Sequence, residues 1–467
     1  MSYFDHLEKY NNNIALINKK EKIKYSDLLI YSYQISNKIK ERSLILLICQ
    51  NSVESVSGYV SFVRAKCVIL LFNNKLTEKD FLTLINDYRP DYIFISKKKF
   101  TCKINYQNIF NFRNYELLKN KNNEKHRFSK NLALLMPTSG TMGSSKLVRQ
   151  SYENIICNIL QIDDFLKIKN SDCSITTMPM NYTYGLSIIH THIYKGASIV
   201  LSEEGLTSKN FWELFINHKI TNFGGVPYIY EILKKLDFEK KKLKYLKYIT
   251  QAGGKLTEDI SLDFVNICKK KNIKMIFMYG QTEATARMSY LPWNFAEKKI
   301  GSIGKPVLNG RFWLKDIKGN LINEPNTIGE LVYEGKNVSL GYSKNFKDLN
   351  KEDDNKEVLY TGDLAKRDSD NFYYIVCRSN RFFKFFGIRI NLDDVESLIK
   401  KWGYDCACIG DYSKIKIFIS NKFNKNDLLE KISKEVGIHK SGLVLILIKE
   451  IPRNKTGKIL YSELKLI

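Results

Sequence analysis

The chain has 467 residues, 44% hydrophobic and 26% charged, and its 74 Lys and Arg against 49 Asp and Glu give a formal charge of +25. That length exceeds one ordinary core and suits a large domain joined to a small one, and the composition is that of a globular protein rather than a disordered or fibrous one. Apolar runs such as Leu44-Ile-Leu-Leu-Ile-Cys49 are strand-length, far below the roughly 20 residues that span a bilayer, so no membrane span is expected.

The first residues, Met1-Ser-Tyr-Phe-Asp-His-Leu-Glu-Lys9, lack a basic region followed by an apolar core, so no secretory signal is expected and the protein is assigned to the cytoplasm. Nine scattered cysteines read as reduced core residues, and Cys406 and Cys408 form a C-x-C without a second pair at zinc-ligand spacing. His190 and His192 are expected on one face of a strand, as packing residues. The lysines are spread evenly, without an aromatic-interleaved basic stripe or an RNP-like pattern. Nucleic acid is therefore not expected as a partner, whereas the charge suits an acidic one such as a carrier protein.

In chain order, strand-like runs alternate with amphipathic stretches at 44–49, 53–63, 67–72, 81–88 and 92–95, the pattern of an α/β layered architecture with largely parallel strands. Residues 100–130 are polar and read as a surface connection. A strand over 132–136 leads into a Gly- and hydroxyl-rich run, and 152–165 reads as the helix that follows it. Short β-like pieces separated by Gly and Asn over 301–342 predict a small β subdomain, and 346–357 looks exposed. Beyond Arg378 come two β runs, a helix over 426–436 and a strand over 443–448, enough for a small α+β domain whose junction lies near Ser379-Asn380.

The run after the first strand, Thr138-Ser-Gly-Thr-Met-Gly-Ser-Ser-Lys146, is built to hold phosphate. Gly140 and Gly143 allow the backbone to turn N–H groups toward an anion, while Thr138, Ser139, Thr141 and Ser144 add hydroxyls and Lys146 adds charge. The spacing is not that of a Walker A loop. Three further runs follow in fixed order: Tyr279-Gly-Gln-Thr-Glu283, Tyr360-Thr-Gly-Asp363 and Pro452-Arg-Asn-Lys-Thr-Gly-Lys458.

Together these four runs resemble the core motifs of the adenylate-forming superfamily, the acyl-CoA synthetases, nonribosomal-peptide adenylation domains and luciferases. Further matching segments are Met178-Pro-Met-Asn-Tyr-Thr-Tyr-Gly185, Gly224-Gly-Val-Pro227, Ala252-Gly-Gly254 and Arg378 through Lys384-Phe-Phe-Gly387-Ile-Arg389. Ser145 departs from the usual proline, Cys377 from a glycine, and Asn380 from a hinge aspartate, departures that touch loop rigidity and the hinge more than the chemistry. The resemblance implies a large layered α/β domain with a β subdomain over 1–379, binding ATP and the acid, and a small mobile α+β lid over 380–467.

By the same resemblance, a carboxylate attacks the α-phosphorus of ATP to give an acyl-adenylate and pyrophosphate. The 138–146 run would hold phosphates, and Glu283, helped by Thr141, would hold Mg²⁺. Gly253, Gly254, Tyr279, Gly280 and Thr282 would hold adenine, with Asp363 and Arg378 on the ribose. Lys458 would be the catalytic lysine, with Arg453 and Lys455 as surface charges. Tyr182, Tyr184, Gly224, Gly225 and Ala252 would wall the acid pocket, the two glycines leaving room for substrate. Lys384, Gly387 and Arg389 would line a tunnel for a pantetheine thiol, of CoA or of a carrier protein, about a hinge at Asn380. An amine acceptor, and a nucleotide-binding pseudoenzyme, stand as alternatives. Tyr stands at 182, where α-amino-acid activators carry an aspartate nearby, which counts against an α-amino acid as substrate without excluding one.

Overall fold

Two sheets organise the large domain of the computed structural model, which describes residues 2–122, 126–138, 146–378, 381–385, 388–411, 414–454 and 457–466. The first has the strand order Tyr342–Ser343, Leu147–Ser151, Leu132–Pro137, Val68–Asn73, Leu44–Cys49, Tyr92–Ser96, Tyr115–Asn120 and Tyr106–Phe112. Its central strands are parallel and apolar on both faces because both faces are covered. Ile45 and Leu47 face one core, and Leu44, Leu46 and Ile48 face another, as the two-residue period of a strand requires.

The second sheet runs Lys305–Pro306, Ser289–Leu291, Lys274–Tyr279, Tyr248–Gln251, Asn222–Gly225, Cys173–Ile175, Ser198–Val200, Ile14–Ile17 and Lys22–Lys24. Helices Val53–Arg64 and Thr183–Tyr194 pack in the core shared by the two sheets. Helix starts follow capping chemistry: Ser52, Thr77, Ser151 and Thr257 each accept a backbone N–H from the first turn. A third, antiparallel sheet joins Leu321–Ile322, Arg311–Lys315, Gly329–Glu334, Val358–Arg367 and Tyr373–Arg378. This is the β subdomain expected from the Gly- and Asn-punctuated sequence.

The small C-terminal domain contains the hairpin Phe382–Phe385/Ile388–Asn391, a sheet of Cys406–Asp411, Lys414–Ile419 and Leu443–Leu447, and helices Leu392–Lys401 and Lys425–Val436. It has its own apolar core around Ile399, Ile417 and Ile432. Among the described residues no helix is long and apolar enough to cross a membrane.

Three local expectations are corrected. His190 and His192 lie in helix Thr183–Tyr194, not on a strand; the apolar run there is long enough to be buried as a helix. His190 Nε2 shares a 2.7 Å hydrogen bond with the Tyr59 hydroxyl, and burial lowers its pKa to about 3. Residues 100–130 contain two antiparallel strands, Tyr106–Phe112 and Tyr115–Asn120, whose polar positions face outward on a sheet edge. The 346–357 stretch is only partly exposed: Leu349 is buried, and the carbonyls of Lys351 and Glu352 accept from the buried guanidinium of Arg149, which also pairs with Asp354 at 2.7 Å.

Candidate active site

Strands Asn222–Gly225, Tyr248–Gln251 and Lys274–Tyr279 are adjacent and parallel, so the runs that follow them emerge at one edge, where open α/β sheets place their ligands. After Tyr279 the chain turns sharply through a short 3₁₀ segment, Thr282–Ala284, and returns so that Met288 N–H donates to the Tyr279 carbonyl. Gly280 makes the turn possible: a Cβ there would lie 1.7 Å from the carbonyl oxygen of Ala286. Glu283 is thereby held at the tip, its carbonyl accepting from Ser339 N–H at 2.8 Å and its Oε1 accepting from the Tyr342 hydroxyl at 2.9 Å.

Tyr342 links that tip to the end of the phosphate run. It pairs with Val148 on the strand after the run, and the Lys146 ammonium sits 3.7 Å from its ring centroid. Gln150, on the same strand, donates to the Thr282 carbonyl at 2.9 Å, and the Thr183 and Thr282 hydroxyls are 3.0 Å apart. Cation, ring and carboxylate therefore stand in a row. Thr138 opens the run from strand Leu132–Pro137; Ser139, Gly140, Thr141, Gly143 and Ser144 lie outside the described residues.

Asp363 and Arg378 face each other across neighbouring strands, with Arg378 Nε 2.7 Å from Asp363 Oδ1. The Tyr279 hydroxyl and Gln281 Nε2, the latter at 3.0 Å, donate to Oδ2. Burial of this carboxylate raises its pKa above the ordinary value, while Arg378, Tyr279, Gln281 and Lys458 favour the ionised form. Gly253, at φ +82°, and Gly254 follow strand Tyr248–Gln251.

Lys458 reaches this group from the small domain. Gly457 adopts φ +77°, and its α-carbon lies so close to Tyr228 on helix Pro227–Lys235 that an added Cβ would sit 2.4 Å from the Tyr228 Cβ. Although Lys458 is exposed as a residue, its ammonium end is crowded by protein, and that desolvation, with repulsion from Arg378 second, lowers its pKa. Attraction from Glu283 and Asp363 opposes the shift. Arg453 is a brace rather than a surface charge: it donates to the Gly457 carbonyl at 3.1 Å and pairs with Asp405 at 2.5 Å. Lys455 lies outside the described residues.

The residues expected to wall an acid pocket lie close together, and one expectation about them is corrected. The room left by the glycines is filled by protein: a Cβ on Gly224 would meet the Tyr184 hydroxyl at 2.6 Å, and one on Gly225 would meet Ile229 and Tyr230 at 2.8 and 2.9 Å. Tyr184 Oη also reaches the Thr250 carbonyl at 2.8 Å, Tyr182 Oη fills the space beside Gly253, and Ala252 is buried. In the small domain, Lys384 and Arg389 are paired across the first hairpin, and Asn380 and Gly387 lie outside the described residues.

Residues 3–343 match the family model described as AMP-binding enzyme. The chain belongs to this family. It is 23% identical over 459 residues to a 2-succinylbenzoate–CoA ligase of Geobacillus sp. strain WCH70, covering 91% of this chain and 88% of the relative. It is 24% identical over 344 residues to an oxalate–CoA ligase of Saccharomyces cerevisiae, covering 71% and 62%. An O-succinylbenzoate coenzyme A synthetase of Bacillus subtilis in complex with ATP and magnesium ion superposes with a TM-score of 0.80 at 20% identity, covering 98% of each chain.

For an AMP-binding enzyme, the partners that motif reading misses are Tyr342, Gln281 and Arg453. Gln281 sits inside a recognised run and was legible as a donor, whereas Tyr342 and Arg453 act through contacts that no spacing announces. The contact at Gly457 gives a testable consequence. Gly457→Val is expected to lower acid-dependent ATP–pyrophosphate exchange about tenfold or more, because the new side chain is strained at positive φ and collides with Tyr228. Tyr228→Ala in the same background should restore part of the loss; unchanged exchange in Gly457→Val would remove this contact from the reaction.

Proposed function

We propose that this AMP-binding enzyme activates a small carboxylic acid with ATP as an acyl-adenylate, releasing pyrophosphate, and passes the acyl group to a pantetheine thiol, with CoA as the first acceptor to test. The observation that carries this reading is the close packing of Gly457 against Tyr228 of the large domain, which sets the neighbouring Lys458 within the electrostatic reach of Glu283 and Asp363. An acid oxygen attacks the α-phosphorus, the bond to the pyrophosphate oxygen breaks, and negative charge is redistributed between two anions. Fixed cations serve this chemistry better than a proton-transfer pair. Lys458 stabilises that charge, Lys146 and the hydroxyl run hold the departing phosphates, and Asp363 with Arg378 fixes the ribose.

Glu283 suits magnesium, which takes one or two carboxylates and fills its remaining positions with phosphate oxygens and water. Among the described residues no group of three or more His, Cys, Asp or Glu could form an all-protein cage. When bound, the ion would neutralise phosphate charge; the Tyr342 hydrogen bond orients the carboxylate that would hold it. Gly253, Gly254, Gly280 and Thr282 line the adenine side beside Tyr279.

We place the domain boundary at residues 379–380, between strand Tyr373–Arg378 and the first strand of the small domain, with Asn380 as the hinge and Lys384, Gly387 and Arg389 on the thiol path. The charge of +25 supports an acidic carrier protein as a second acceptor. Nine free cysteines, most of them buried, suit the reducing cytoplasm. ATP–pyrophosphate exchange over a panel of acids, followed by thioester formation with CoA, tests the proposal; exchange with no acid in the panel would sink it. Asp363→Ala should weaken ATP binding about 10- to 100-fold by calorimetry, as charge-assisted hydrogen bonds of about 1.5–3 kcal/mol are lost, with the acid's affinity little changed.

A further inference from the structure

Arg287 is 3% exposed, and its guanidinium centre lies 4.0 Å from the ring centroid of Tyr184. It donates to the Ala286 carbonyl at 3.0 Å and to Ser187 Oγ at 3.4 Å, and its Nε faces the Met278 sulfur at 3.4 Å. All of these partners are neutral. Other arginines are held differently: the buried Arg149 pairs with Asp354, and the partly buried Arg381 with both Asp393 and Glu396. No carboxylate among the described residues pairs with Arg287, and a buried charge with neutral partners alone is poorly compensated.

Arg287 lines a cavity of about 20 Å³ between helix Thr183–Tyr194 and the parallel strands Asn222–Gly225 and Tyr248–Gln251. A space above roughly 10–15 Å³ admits a group the size of a water molecule. Among the described residues, two buried polar atoms of residues lining it, His192 Nε2 and Tyr248 Oη, make no hydrogen bond of full geometry, and the Asn222 side chain lies beside the imidazole. His192 Nδ1 lies 2.8 Å from the Ile188 carbonyl, which can only accept, so Nδ1 carries the proton and Nε2 presents a lone pair. Thr250 and Gly224 also line the cavity. Ala252, on the nucleotide side, is two residues beyond Thr250, about 7 Å along an extended chain.

We propose that this cavity receives the far end of the acid, that Arg287, Tyr248 and His192 bind a second carboxyl group there, and that the substrate is a short dicarboxylic acid. A carboxyl suits all three groups chemically: it can accept from the guanidinium and the phenol and share a proton with the imidazole. A monoacid would leave the buried guanidinium facing an alkyl end. This assignment rests on the adenylation reading for the chemistry, but the cavity itself can be examined without turnover.

The test pairs each diacid with its monoamide: succinate with succinamate, and glutarate with glutaramate. At least one diacid should raise the thermal midpoint of the full-length protein while its monoamide does not, and should exceed that amide about 100-fold in kcat/KM for pyrophosphate exchange. Arg287→Gln should collapse that ratio, and Arg287→Lys should recover part of it. Equal stabilisation and equal exchange within both pairs would overturn the assignment, leaving the cavity as a site for water alone. If Arg287→Gln does not fold, the wild-type pairs still decide. If no acid supports exchange, the adenylation reading falls, and the thermal comparison still reads whether the cavity selects a second carboxylate.

Discussion

Lys458→Ala is expected to lower acid-dependent ATP–pyrophosphate exchange about 10²- to 10³-fold, with thermal unfolding close to wild type. The magnitude follows from removing one preorganised group at developing charge, about 2.7–4 kcal/mol. The fold should survive because Lys458 is an exposed residue on a loop braced by Arg453 and Asn454. Substrate affinities should change far less than kcat, since the interaction strengthens as the transition state forms. Conversion of a supplied acyl-adenylate to thioester should be affected much less.

A pH profile provides a second readout for the same residue. Desolvation and Arg378 lower the Lys458 pKa, so the ammonium is lost at a lower pH than for an ordinary lysine, whose value is 10.5. Activity requires the protonated form, so the rate should fall as pH rises through this lowered value. An alkaline limb at or above the ordinary lysine pKa, or one retained in Lys458→Ala, would contradict the placement.

Gly280→Ala should be the most damaging single-methyl change in the site. The added carbon would lie 1.7 Å from a backbone oxygen, which no rotamer can relieve, so the Tyr279–Glu283 turn must move or open. Overpacking of this kind costs about 3 kcal/mol at the upper end of the usual range. It would also displace Tyr279 from Asp363 and Glu283 from Tyr342, so both thermal stability and exchange should drop. Gly205→Ala is the control, because nothing lies within 4 Å of its added carbon. A Gly280→Ala protein with wild-type midpoint and activity would show that the turn is not held as described.

The order of motifs made the layered α/β fold legible and singled out candidate site residues, because phosphate loops and tight turns impose residue types over short spans. Gly280, Glu283, Asp363 and Lys458 stood out as candidates in this way. Long-range partners were not: nothing near Glu283 announces Tyr342, and Arg453 looked like one more lysine-rich surface charge. The glycines at 224 and 225 misled, because absence of a side chain says that something approaches without saying what, and here the visitors are Tyr184, Ile229 and Tyr230. Arg287 was passed over for the opposite reason. An arginine in a basic chain carries no signal until its burial and its partners are known.

Helix Thr183–Tyr194 is buried at every position except Ile188 and Tyr194, and it touches both large sheets while supplying Tyr184 and His192 to the cavity proposed for the acid. Selectivity and architecture are thus written on one element. Exchanging a pocket residue for one suited to another acid alters the keystone of the domain, so a new preference arrives together with a repacking cost at the sheet interface.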